Sequence, residues 1–244
     1  MSESLLAVRD VRKAFGPIKA LGPVDVDLMP GERLGIIGPN GSGKTTLINC
    51  ISGFHRPDTG SIVFRGEDIT RMPAYRRARF GLSRSFQIPR PFLGMSVFEN
   101  LLVPMDYCSS AETEKEEIER VEQVLESVGL VERRDHPAEL LSQLELRKLE
   151  LARALAARPR VLIADEAMAG LSEAEIDDVL ALLLKLNASG VAVVMIEHIM
   201  HAVMRFSQRV ICLETGKIIA EGSPDEIVAS PQVQKVYFGE QTRR

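Results

Sequence analysis

Arg33-Leu34-Gly35-Ile36-Ile37 runs without a break into Gly38-Pro39-Asn40-Gly41-Ser42-Gly43-Lys44-Thr45. The first five residues form the short apolar run that a parallel strand buried on both faces requires. The next eight fit G-x-x-x-x-G-K-[ST], and a helix is predicted over Lys44 to Ile51. The glycines let the backbone curl so that successive N–H groups converge on one concavity, and the following helix adds its positive end. Lys44 supplies a mobile cation for β- and γ-phosphates, and the Thr45 hydroxyl an oxygen for a Mg²⁺ shell. Strand, loop and helix in this order point to a nucleoside triphosphate.

Further along, Val161-Leu162-Ile163-Ala164 reads as a buried strand that delivers Asp165 and Glu166 at its carboxyl end, where open α/β sheets bind ligands. Neighbours on a strand face opposite ways, so the two acids have different tasks. Asp165 suits Mg²⁺, and Glu166 suits orienting and deprotonating an attacking water. Val191 to Ile196 and Val210 to Leu213 predict two more buried strands, with an amphipathic helix over Glu173 to Leu186. Strands alternating with helices imply an α/β fold built on a parallel sheet. Ahead of it, Leu5 to Val11 and Val24 to Met29 alternate as half-buried antiparallel strands do.

Residues 88–158 read differently: a charged run over Glu112 to Glu122, apolar residues at helical spacing through Val128, and a strong helix over Leu146 to Ala157. This predicts a helical lobe inserted between α/β core segments 1–87 and 159–222. A tail over 223–244 follows, with Ser223-Pro224 and Ser230-Pro231 each starting a short helix. The 244 residues thus read as a single domain.

Composition narrows the class. With 30 basic against 34 acidic residues the net charge is −4, which argues against a non-specific nucleic-acid binder. No apolar run approaches the ~18 residues of a membrane span. Met1-Ser2-Glu3-Ser4 lacks the features of a signal peptide, and three scattered cysteines make no disulfide framework, so a cytosolic chain is expected.

Taken in order, these segments resemble the ATP-binding subunits of ABC transporters: Gly38 to Thr46, Gln87 in Ser85-Phe86-Gln87, Leu141-Ser142-Gln143-Leu144-Glu145, Asp165-Glu166, Ala169-Gly170-Leu171-Ser172 and His198. Ser52 to Pro57, Arg84 to Gln87, Val97 to Leu102 and the tail Gln234 to Glu240 resemble the branched-chain amino-acid importer subfamily. The resemblance implies a P-loop NTPase core and a subunit that hydrolyses ATP, with Mg²⁺, on the cytoplasmic face of the membrane. It implies two transmembrane permease subunits, a second ATP-binding subunit, an extracytoplasmic solute-binding protein and no nucleic acid. ATP is trapped between one subunit's phosphate loop (Gly38, Pro39, Asn40, Gly41, Ser42, Gly43, Lys44, Thr45, Thr46) and the other's signature segment. By the same resemblance Gln87 ligates Mg²⁺ or water, and His198 bonds the γ-phosphate and the attacking water. Phe15 stacks on adenine, or else is a core aromatic at a strand end.

The signature departs from the family's Leu-Ser-Gly-Gly-Gln. Ser142 is kept, Gln143 follows it, and Leu144 and Glu145 replace the second glycine and the glutamine. Leu144 adds a branched side chain where the partner's phosphate should pass. Glu145 would set a like charge nearby, costing about 3 kcal/mol at ~6 Å and an effective dielectric of ~20. Ser142-x-x-Glu145 is equally a capping box that opens a helix with no nucleotide role. An asymmetric dimer is expected, competent at this chain's own loop and impaired at the site facing Leu144. The alternatives are a non-transport ABC ATPase and a catalytically silent ATP-binding subunit.

Overall fold

The computed structural model describes residues 4–85, 90–108 and 113–238. The chain opens with β1 (Leu6–Phe15), β2 (Ile18–Leu28), β3 (Arg33–Ile37), α1 (Lys44–Ser52), β4 (Thr59–Phe64) and β5 (Glu67–Asp68). Next come α2 (Ala74–Arg79), β6 (Leu82–Ser85), α3 (Val97–Cys108), α4 (Glu114–Val128) and α5 (Gln143–Ala156). The last part holds β7 (Val161–Asp165), α6 (Glu173–Ala188), β8 (Ala192–Ile196), α7 (Met200–Phe206) and β9 (Arg209–Glu214). It ends in β10 (Lys217–Gly222), α8 (Pro224–Ala229) and α9 (Pro231–Phe238).

Two sheets result. One has the order β10-β9-β3-β8-β7-β6, parallel except for β10, which pairs antiparallel at the edge; the other, β2-β1-β4-β5, is antiparallel. Alternation along the central strands splits their side chains between two apolar layers. Ile37, Leu162, Ala164, Val193, Met195, Val210 and Cys212 face α6, α7 and the helices of residues 97–156. Leu34, Ile36, Val161, Ile163, Val194, Ile196 and Leu213 face α1 and the antiparallel sheet. Burial on both faces is why these strands are apolar without interruption. No helix among the described residues is long and apolar enough to cross a membrane.

Helix starts follow local chemistry. Ser142 and Ser223 each accept from the N–H three residues on, and Glu145 and Glu226 return the bond to the cap's own N–H. Such a cap is worth about 1 kcal/mol. It starts α5 at Gln143, three residues before the Leu146 that apolar spacing suggested.

Candidate functional site

The carboxyl ends of β3 and β7 lie two strands apart, with β8 between them, so the glycine loop and Glu166 line one cleft. Gly38 leaves β3 at φ +148°, and a Cβ there would stand 2.2 Å from the Leu213 carbonyl. Gly43, the residue before α1, has φ +104° and would meet the Ala20 carbonyl at 2.7 Å. Only glycine serves at either position. Lys44, 5% exposed, curls back so that Nζ donates to the Gly38 carbonyl at 2.6 Å and the Pro39 carbonyl at 3.1 Å. Burial pushes its ammonium pKa down, opposed by the charges of Glu166 and Asp165. A buried cation held by two carbonyls, with two acids close by, suits an incoming phosphate.

The cleft measures about 440 Å³ and brings together Phe15, Asn40, Gly41, Ser42, Gly43, Lys44, Thr45, Thr46, Glu166 and His198. Phe15 is 43% exposed, so the reading as a core aromatic falls. Its ring meets His55 in a T-shaped contact with Lys13 Nζ 5.5 Å from its centroid, and the ring lines the cleft beside the phosphate loop. Glu166 takes a left-handed backbone, φ +47°, and its N–H donates to the Ile196 carbonyl at 2.9 Å. That conformation is uncommon outside glycine and turns the side chain off the line of β7. Glu166 Oε1 then lies 2.8 Å from His198 Nε2, where the ring N–H donates to the carboxylate.

Asp165 points the other way, as strand alternation requires. Its Oδ2 accepts from Arg84 Nη2 at 2.6 Å in a buried ion pair, and Arg84 also donates to Asn49 and Ser52 on α1. Sequence reading placed Asp165 by its motif and missed Arg84, whose partner lies 81 residues away. Thr45 and Asp165 offer hard oxygen donors. Among the described residues no group of three or more His, Cys, Asp or Glu could hold a metal alone. That donor set fits Mg²⁺, which binds through one or two protein oxygens plus substrate phosphates. Gln87 lies outside the described residues.

A second residue missed by the sequence is Glu197, beside His198 and only 2% exposed. Its Oε1 accepts from the Met168 N–H at 2.9 Å, tying the segment after Glu166 to the end of β8. Burial pushes its pKa up to about 7; Glu166 adds to the rise, and the Met168 and His198 amides and Arg147 oppose it. The native state therefore holds this proton more tightly than the unfolded chain does. Its contribution is full below the ordinary glutamate range and is lost as pH rises through about 7. Glu197→Gln keeps an acceptor for Met168 and removes the penalty. Denaturant unfolding at pH 8 should show it more stable than the parent by about 3 kcal/mol, with no advantage near pH 4.

The signature segment stands at the start of α5 with Ser142 and Gln143 exposed. Glu145 accepts from the Ser142 N–H at 2.8 Å and from Arg133 Nε at 2.7 Å, which holds its carboxyl pKa low. The charge is turned back on the helix start and compensated, so the repulsion expected of Glu145 is much reduced. Leu144 packs partly against the apolar layer of the helices. Gln143 and Arg147 both donate to the Ala169 carbonyl, linking α5 to the turn after Glu166.

Comparison with known proteins agrees with this fold. Residues 21–169 match the family model described as ABC transporter, and residues 217–242 match the model described as branched-chain amino acid ATP-binding cassette transporter. The chain is 35% identical to the high-affinity branched-chain amino acid transport ATP-binding protein LivG of Escherichia coli (strain K12), over 98% of this chain and 100% of LivG. It is 37% identical to BraF of Pseudomonas aeruginosa, a protein of the same description, at the same coverage. Among solved structures, a nucleotide-free ATP-binding cassette from an ABC transporter superposes with a TM-score of 0.88 at 32% identity, covering 98% of this chain and all of that one. A dimeric post-hydrolysis cassette bound to ADP and Pi gives 0.81 at 25% identity, covering 90% of this chain and 98% of that one. With its loop, Glu166 and His198 gathered on one cleft, this chain belongs to the ABC transporter family, as one of that family's ATP-binding ATPase cassettes.

Proposed function

We propose that this chain is one of two ATPase subunits that energise an importer of branched-chain or related amino acids. It would act at the cytoplasmic face of the membrane with two permeases and a solute-binding protein. The observation that carries the reading is the contrast within one chain: Lys44, Glu166 and His198 converge on the loop, while the start of α5 is closed on itself at Ser142 and Glu145. The match over 217–242 and the LivG and BraF relatives support the amino-acid class.

The residues imply their own chemistry. Phe15 receives the adenine ring, and the amides of residues 40–46 receive the triphosphate tail. Lys44 leaves the Gly38 and Pro39 carbonyls for the β- and γ-phosphates. Bound Mg²⁺, held by Thr45 and Asp165 and by Gln87 in the family pattern, supplies neutralisation of phosphate charge. Glu166 orients a water in line with the γ-phosphorus and accepts its proton, and His198 fixes the carboxylate through the 2.8 Å contact while its ring faces the γ-phosphate.

A second cleft of about 310 Å³ lies between α2, α3 and α5. Phe54, Tyr75 and Tyr107 are exposed at its rim, the amphipathic aromatic surface that a permease loop would bury. Of residues 88–106, Pro104 in the later part of α3 lines this cleft and 88 and 89 lie outside the described residues; closure of the ATP dimer would be carried through this segment.

ATPase assays test the asymmetry. The chain alone should hydrolyse ATP slowly, and an ATPase subunit with an intact signature should activate it. Leu144→Gly with Glu145→Gln should raise the rate of the chain alone at least about tenfold, part of the 10²–10³ that one missing phosphate donor costs. Brisk hydrolysis by the unaltered chain, unmoved by the double substitution, would remove the asymmetry.

A further inference from the structure

The tail that matches the branched-chain model reaches the phosphate loop. Ile227 of α8 and Val233 of α9 are buried in the layer that also holds Ile37, and Tyr237 packs against it. Val233 and Tyr237, four residues apart, share one face of α9. This face carries the phenol beneath the point where the chain leaves β3. There the Gly38 N–H donates to Tyr237 Oη at 2.7 Å, a contact between residues 199 apart.

Gly38 is a demanding place for such a contact. Pairing of β3 with β9 ends at Ile37 and Cys212, so the ladder does not take the Gly38 amide. An amide buried there needs a partner. Its carbonyl is held by Lys44 Nζ at 2.6 Å, so both polar groups of this one peptide residue are engaged by side chains. The two anchors differ in one respect: Lys44 is the group that phosphate recruits, and Tyr237 is not. Burial pushes the Tyr237 phenol up to about 12, so it remains a neutral partner throughout the working pH range.

We propose that Tyr237 is a positioning residue for nucleotide binding, holding the first residue of the phosphate loop in its curl when Lys44 departs for the phosphates. The proposal rests on residues 38–46 being the triphosphate cradle, and it gives the tail a role in the ATP site of its own chain.

Tyr237→Phe keeps the ring and deletes the acceptor. In the full chain, Mg-ATP titrated by calorimetry should bind about fivefold more weakly, the worth of one hydrogen bond. In the assembled transporter the KM for ATP should rise by the same factor with kcat within twofold, as for an interaction made equally in ground and transition states. Val233→Ala, one turn earlier on the same face, removes packing and has no hydrogen bond to lose. It should lower the Tm by several degrees and leave Mg-ATP affinity within twofold. Unchanged affinity in Tyr237→Phe overturns the proposal, as does an equal loss in both variants, which would make the tail a packing element only. Lys44→Ala separates the underlying reading: if it binds Mg-ATP as the parent does, the cradle itself is misplaced, whatever Tyr237 does.

Discussion

Glu166→Gln in the assembled transporter should lower ATP turnover by about 10³, within the range that a positioned general base contributes. Calorimetric affinity for Mg-ATP should stay within twofold. The amide oxygen can still accept from His198 Nε2, so the 2.8 Å contact and the left-handed turn at Glu166 survive. What goes is the only thing a carboxylate adds at that place, a basic oxygen at the mouth of the cleft facing Lys44 and the loop. An interaction used only as the water attacks appears in kcat and kcat/KM together, and that pattern marks chemistry rather than binding. Release of inorganic phosphate under single-turnover conditions measures it directly. Turnover at the parent rate would make this chain the silent partner of the pair, with all the chemistry at the site built around the other subunit's loop.

The parts of the molecule that could be read from the sequence are those whose cause is local. The run Arg33 to Ile37, the glycines after it and α1 form one continuous segment, and its strand–loop–helix character depends on residues within about a dozen positions of each other. Asp165 and Glu166 at the end of β7, and Pro224 and Pro231 at the starts of α8 and α9, are of the same kind. The segments that gave no signal depend on distant partners. β6 carries Arg84 in its middle, and a charged residue there breaks the apolar pattern unless its buried acid is already known. β10 is only half-buried and pairs at the sheet edge, and α2 is six residues long, too short for a helical period to show. In the site, the loop, Phe15, Glu166 and His198 meet around one cleft. Arg84, Glu197 and Tyr237 owe their places to contacts across 81, 29 and 199 residues. At Ser142 the capping box is formed, closed by the return bond from Glu145 and that acid's pairing with Arg133, a local geometry compatible with either role of the segment.

Arg84 leads to the largest expected change in stability. Arg84→Met removes the guanidinium and leaves the Asp165 carboxylate buried without it, a loss of about 3–5 kcal/mol when one member of a buried pair is removed. For a chain of this size that lowers the Tm by about 10 °C. The methionine fills much of the volume of the arginine stem, so the loss reports charge more than a cavity. Asp165→Asn in the Arg84→Met background should then recover most of the deficit, because the pair's desolvation disappears with its charges. Non-additivity of about 2 kcal/mol or more in the double-mutant cycle identifies the pair as the source. The same cycle bears on the acid's second task. Asp165 is bound to Arg84 at 2.6 Å, and Arg84 reaches Asn49 and Ser52 on the helix that follows the phosphate loop. The carboxylate proposed to hold Mg²⁺ is thus fixed to the back of that loop through a single guanidinium, three residues before Gln87. Arg84→Met should therefore also raise the Mg²⁺ concentration needed for half-maximal ATP binding, whereas additive stabilities with an unchanged Mg²⁺ requirement would show that the ion pair links the acid neither to the stability of the fold nor to the nucleotide site.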